Sequence, residues 1–114
     1  DTNIGVRWPD IATEVGKFVG DGLFWIENET FDIDEAALRL HHRLVMIHPF
    51  PNGNGRHARL WCDLLLRQAG RSAFHWNAKG LDLPGDARGR YLSALRRADS
   101  GNFEELFDLF LRDR

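Results

Sequence analysis

Apolar residues recur at helical spacing through most of the chain, and the polar punctuation between them falls where helices end. After Pro9 and Asp10, the residues Ile11, Ala12, Val15 and Phe18 predict a short helix, with Gly16, Gly20 and Gly22 read as closing it. Leu23, Phe24, Trp25 and Ile26 then form an unbroken apolar run followed by the polar Glu27, Asn28, Glu29 and Thr30. That pattern suits a strand or hairpin-like excursion serving as a lid. Asp32 with Glu35 three residues on makes a capping-box-like start, and Ala37, Leu40, Leu44 and Ile47 share one face of the helix that follows. Leu38, Val45 and Met46 fall on its other faces, which predicts a central helix. Pro49 ends it, because the residue before a proline is pushed out of the α region.

A second strong helix is predicted from about Gly55 to Ala69, with Trp61, Leu64 and Leu65 apolar and Gly70 placed to terminate it. Beyond a loop carrying Phe74 and Trp76, Pro84 opens a helix bearing Tyr91, Leu92 and Leu95. Asn102 and Glu105 then cap a last helix with Phe103, Leu106, Phe107 and Phe110. The fold class is therefore all-α: a compact helical bundle with a short β-hairpin flap around residues 23–30.

Composition narrows the partners. A chain of 114 residues holds one domain, residues 1–114, and 15 Lys+Arg against 17 Asp+Glu leave a net charge of -2. This balance lacks the basic excess of a nucleic-acid binder, so an anion site has to be local. A chain of this size buries roughly 60–70% of its unfolded surface and builds a core without disulfides. The single cysteine, Cys62, has no internal partner, which favours a reducing compartment and makes the cytoplasm the expected location. No run of about 18 uncharged apolar residues and no basic-then-apolar leader occurs, so no membrane association is expected. The first residue is Asp1 rather than Met, and the reading allows for an N-terminal segment ahead of it.

The candidate chemistry lies between the two strongest helices, in residues 48–59, which read His-Pro-Phe-Pro-Asn-Gly-Asn-Gly-Arg-His-Ala-Arg. Gly53, Asn54 and Gly55 tolerate left-handed backbone conformations, so their N–H groups can turn inward as an anion-holding nest. The next helix aims its positive dipole end at the same point, which suits a phosphate. Arg56, His57 and Arg59 sit in the first turn or so of that helix and oppose its dipole, at a cost of about 0.3 to 1 kcal/mol per charge. Broken local rules mark functional sites. Arg56 and Arg59, three residues apart, are neighbours able to converge on a polyphosphate. The competing arrangement pairs Arg59 with Asp63 at i+4 and leaves Arg56 in solvent; the two arginines beside His48 favour the phosphate.

His48, on a rigid stem at a helix end, can accept a proton near neutral pH, although a helix-end histidine also serves as a C-terminal cap. Phe50, between two prolines, is an anchor that plugs the core. The tryptophans at 8, 25, 61 and 76 are read as core residues, Trp25 excepted because it falls in the lid. His41 and His42 lie mid-helix, His57 and His75 are scattered, and no pair has zinc-ligand spacing.

The segment from His48 to Arg59 resembles the signature of the Fic/Doc family, His-x-Phe-x-Asp/Glu-Gly-Asn-Gly/Lys-Arg-x-x-Arg, and its wording is similar to that of the bacterial mobile mystery protein B branch. The resemblance implies a Fic-type helical bundle and an enzyme that transfers AMP from ATP to a Ser, Thr or Tyr hydroxyl of a target protein. It implies that His48 is the general base and that Asn54, with the amides of Gly53 and Gly55, holds the α-phosphate. Arg56 would grip the outer phosphates and Arg59 would meet the terminal one. Gly55, where the phosphate-transferring branch has Lys, points to the AMP-transferring branch.

Asn52 departs from the pattern, standing where the family has an acid that coordinates Mg2+. An amide oxygen can ligate a hard cation but brings no charge. The inhibitory pattern Ser/Thr-x-x-x-Glu-Gly/Asn has no intact copy, since Glu105 follows Ser100 to Glu104. Restraint is therefore expected from a separate inhibitory partner or from a segment ahead of this sequence. The alternatives are a nucleotide-binding or protein-interaction module of the same fold with weak or lost catalysis, and a related nucleotidyl or phosphoryl transferase.

Overall fold

The computed structural model describes residues 10–47, 54–76 and 86–112. Every regular element among them is a helix: α1 (Ile11–Glu27), α2 (Ile33–Ile47), α3 (Asn54–Gln68), α4 (Asp86–Asp99) and α5 (Glu104–Phe110). The all-α expectation holds. None of these helices is long and apolar enough to cross a membrane. The chain divides after Ala73 into two compact units, the first holding α1 to α3 and the second α4 and α5.

In the first unit α2 is the central helix. Ala36, Ala37, Leu38, Leu40, His41, His42 and Ile47 are all buried. Buried runs such as 36–38 and 40–42 wrap around more than one face at about 100° per residue, as a helix between two neighbours requires. Toward α1, Leu40 and Ile47 form a core with Phe18, covered by Ile11, Val15, Trp25, Leu44, Trp61 and Leu65. The two helices approach closely at Gly22, where a Cβ would lie 3.4 Å from both Leu40 methyls. Arg43 Nη1 donates to Asp21 Oδ2 at 2.6 Å across the same pair.

The expected lid is helix. Leu23 to Ile26 continue α1 to Glu27, so the strand or hairpin flap at 23–30 is not formed, and the glycines at 16, 20 and 22 do not close α1. Four consecutive apolar residues carry no period, so sequence alone cannot separate a buried strand from one turn of helix. As helix, the run sends Trp25 inward, edge-on to Phe31 at 5.2 Å, and leaves Leu23, Phe24 and Ile26 exposed. The chain reverses just after, at Glu29 (φ 50°). Thr30 N–H donates to the Trp25 carbonyl at 3.0 Å and Asn28 N–H to Phe24 at 3.0 Å. These bonds satisfy carbonyls that the helix end orphans.

Gly16 and Gly20 stay inside α1 with nothing within 4 Å of an added Cβ. Replacing each with Ala should therefore stabilise the protein by about 0.5 to 1 kcal/mol per site, the helix-interior cost of glycine. The midpoint of urea unfolding would rise; a lowered midpoint would contradict this reading of α1.

At the start of α2, the Asp32 carbonyl accepts from Ala36 N–H at 2.8 Å, while Glu35 Oε2 accepts from Arg39 Nε at 2.8 Å instead of reaching back to close a capping box. In α3 the buried stripe is Ala58, Cys62 and Leu66, at i, i+4 and i+8. Leu64, expected in the apolar face, is 51% exposed, because it lies on the side turned away from α2. Gly70 ends α3 as expected, at φ 78°, with Arg71 N–H on the Leu66 carbonyl at 2.8 Å and Gly70 N–H on Arg67 at 3.0 Å. Arg71 then clamps Asp34 with two bonds, Nε to Oδ1 at 3.1 Å and Nη2 to Oδ2 at 2.7 Å.

The second unit has an aromatic core. Trp76 and Phe110 lie 4.7 Å apart, Phe74 stands edge-on to Trp76, and Tyr91 of α4 stands edge-on to Phe110 of α5. Gly101 (φ 94°) turns the chain out of α4, and Phe103, not the expected Asn102, is the N-cap of α5 and makes no side-chain cap bond; Asn102, one residue earlier, accepts from Glu104 N–H through Oδ1 at 3.1 Å. Glu105 instead pairs with Arg97 at 3.1 Å. Pro84 lies outside the described residues.

Candidate active site

The motif segment joins α2 to α3: one helix ends at Ile47 and the next begins at Asn54. The two run antiparallel, since Ala37 meets Cys62 while His41, one turn on, meets Ala58, one turn back. The last turn of α2 and the first turn of α3 are thereby brought to one end of the pair. His48, Phe50, Asn52 and Gly53 lie outside the described residues.

The described part of the site is the first turn and a half of α3. Its backbone N–H groups are the orphan donors of a helix start, and the macrodipole places positive potential there. The helices α1, α2 and α5 each carry an acid in the first turn; α3 carries none and has Arg56 instead. Arg56 is exposed, and Arg59 is half-buried. The Arg59 side chain leans back toward the helix start, as helical side chains do, and its Nη1 lies 3.5 Å from where a Cβ on Gly55 would be. A guanidinium thus rests over the first turn of a helix whose own charge it opposes. The sum of two positive features at one point, with no acid in the turn, is what an anion would neutralise.

Beneath this turn is a residue that the sequence reading passed over. His41 is fully buried, and its ring donates a hydrogen bond to the Ala58 carbonyl. Its buried Nδ1 makes no hydrogen bond to a described residue, so Nε2 is the donor. Burial pushes its pKa down from 6.5 to about 3; the Ala58 bond raises it, and the positive Arg59 and neighbouring His42 lower it further. The imidazole is therefore neutral at any physiological pH. The signal was present in the sequence: His41 follows Ala37 by four residues, one helical turn, and so shares the apolar face of α2 that Ala37 and Leu44 mark.

A separate groove of about 460 Å³ lies between α1 and α3, lined by Phe18, Leu23, Ile26, Trp61, Leu65 and Ala69 among others, with Gln68 its one polar wall. It faces the C-terminal half of α3 and offers a phosphate no charged group. The acid-free first turn is at the other end of the helix. Among the described residues no three His, Cys, Asp or Glu side chains stand close enough to hold a metal ion.

The sequence model of the Fic/DOC family matches residues 9–66, the stretch that contains α1, α2, all but the last two residues of α3, and the motif between α2 and α3. Protein adenylyltransferase fic-1 of Caenorhabditis elegans is 35% identical over 97 residues, which cover 82% of this chain and 17% of that protein. A probable protein adenylyltransferase of Aquifex aeolicus is 35% identical over 78 residues, 68% of this chain and 22% of its own length. Protein adenylyltransferase Fic of Drosophila mojavensis is 35% identical over 86 residues, 75% of this chain and 15% of its own. The chain thus spans roughly a fifth of the length of these relatives. With its motif set between two antiparallel helices and the family match running across all three helices of the first unit, this chain belongs to the Fic/DOC family.

Proposed function

We propose that the protein is an adenylyltransferase that moves AMP from ATP to a Ser, Thr or Tyr hydroxyl of a target protein in the cytoplasm. The observation that carries this reading is the start of α3, free of acids and overlain by the Arg59 guanidinium at Gly55. In the proposed reaction His48 takes the proton of the attacking hydroxyl. The hydroxyl oxygen forms a bond to the α-phosphorus, the bond from that phosphorus to the bridging oxygen of the β-phosphate breaks, and pyrophosphate leaves. Asn54 and the amides of Gly53 and Gly55 hold the α-phosphate and the charge that grows on it. Arg56 and Arg59 hold the outer phosphates and stabilise the leaving group. Phe50 anchors the loop. The transferase names of the relatives support the reaction type.

Mg2+ bound with ATP would offset phosphate charge. At the position where the family pattern has an acid, the motif offers it the neutral amide of Asn52, and no group of three His, Cys, Asp or Glu side chains among the described residues could hold the ion. Such a donor set fits an ion carried mainly by phosphate oxygens and water, which magnesium readily accepts. Asn52→Asp should lower the Mg2+ concentration needed for half-maximal AMP transfer. Coincident titration curves for the two proteins would show that position 52 does not place the ion.

The same Asn52 favours a second reading, a nucleotide-binding or interaction module of Fic fold with weak transfer. Within the family, the wording of the motif supports the mobile mystery protein B branch, and restraint would come from a separate inhibitory partner. ATP labelled separately at its α- and γ-phosphates, incubated with the protein and a bacterial lysate, tests the main reading. Protein-bound label from the α position alone is expected. Label from γ alone would replace it with phosphoryl transfer, and none from either would favour the module.

A further inference from the structure

The seam between α2 and α3 is built from small residues. Ala37, Ala58 and Cys62 are wholly buried, and they let the two backbones approach closely enough for side chains to reach main-chain atoms across the gap. Two such bonds form, one turn apart on both helices: Cys62 Sγ to the Ala37 carbonyl at 3.6 Å, and the His41 ring to the Ala58 carbonyl. The second is the rung nearest the start of α3. Ala58 immediately precedes Arg59, whose guanidinium folds back over Gly55.

A leucine at 41 would fill this seam without burying a polar ring, so an imidazole here needs a reason beyond filling space. Its bond fixes the rotation and height of α3 at the residue before Arg59. A shift of about 1 Å in that turn would carry the guanidinium away from the helix start, and misplacements of this size cost binding and rate far more than stability. We propose that His41 is a positioning residue for Arg59: its Nε2–H, bonded to the Ala58 carbonyl, holds the first turns of α3 so that the guanidinium stays over Gly55, where it meets the terminal phosphate of a bound nucleotide. This rests on the reading of Arg59 as a phosphate ligand.

The test is ATP binding by calorimetry with the full chain, for His41→Leu and His41→Gln, each with Arg59 present and with Arg59→Ala. Glutamine can place an amide N–H near the position of Nε2; leucine cannot donate. His41→Leu should weaken ATP binding about tenfold and His41→Gln by no more than about twofold. In the Arg59→Ala background the leucine effect should vanish, because two residues acting through one contact are not additive. A folded His41→Leu protein that binds ATP like the parent would overturn the proposal. So would a leucine effect that persists undiminished without Arg59, since that marks a general loss of structure. If His41→Leu does not fold, His41→Asn, whose amide is too short to reach Ala58, takes its place beside His41→Gln, and equal ATP affinities for these two would overturn it. A parent protein that binds no ATP would remove the nucleotide reading of the site and this proposal together, whereas a parent that binds and variants that match it would remove only the proposal.

Discussion

His48→Ala should reduce AMP transfer by roughly 10²- to 10⁴-fold while leaving ATP affinity nearly unchanged. The proposed reaction asks this imidazole for one thing, removal of a proton from the attacking hydroxyl, and alanine cannot supply it. The phosphate contacts come from elsewhere: the amides at the start of α3 and the two arginines, of which Arg59 already rests over Gly55. Binding and chemistry should therefore separate cleanly between variants. Arg56→Ala should show the converse, with weaker ATP binding, since a charge-assisted hydrogen bond contributes about 1.5 to 3 kcal/mol and its loss costs roughly 10- to 100-fold in affinity. Calorimetric titration with ATP and transfer from α-labelled ATP to protein, measured on both variants, check the pair. Full transfer by His48→Ala would remove the histidine from the mechanism, and unchanged ATP affinity in Arg56→Ala would move the phosphate cradle elsewhere.

The second large effect is acid sensitivity of the fold. Burial holds the His41 pKa at about 3, against an ordinary value of 6.5. As pH falls below 6.5 the unfolded chain takes up a proton on this ring, while the folded chain refuses it until about 3, so the unfolded state binds more protons across that window. The stability is complete above 6.5 and declines as pH drops toward 3. The slope approaches roughly 1.4 kcal/mol per pH unit. Against a total of about 5 to 15 kcal/mol for a typical domain, two pH units are enough to matter. The positive Arg59 on α3 lowers the His41 pKa and offers a protonated His41 no counter-ion. Urea unfolding at a series of pH values should show the decline in the parent and a shallower one in His41→Gln, which has nothing to protonate. Parallel curves for the two proteins would mean that another group controls the acid limb.

Local chemistry was legible in the sequence wherever it does not depend on a partner. Gly70 could be read as the end of α3 because a left-handed residue there satisfies orphan carbonyls whatever the rest of the chain does. The central place of α2 followed from apolar residues on several of its faces, and the chemistry proposed for residues 48–59 is argued from residue types that tolerate unusual backbone conformations and carry charge. Tertiary structure decided what depends on neighbours. Leu23 to Ile26 are helical because Trp25 and Phe18 have α2 to pack against, and Gly22 lies within the helix because Leu40 needs that space. Leu64 is exposed and Ala58 buried on one amphipathic helix because α2 covers only the stripe that includes Ala58, Cys62 and Leu66. The position of Arg59 over Gly55 and the neutral His41 beneath it arise the same way: the identity of each residue sets what it can do, but its charge state and aim come from the backbone and side chains that a second helix brings within reach.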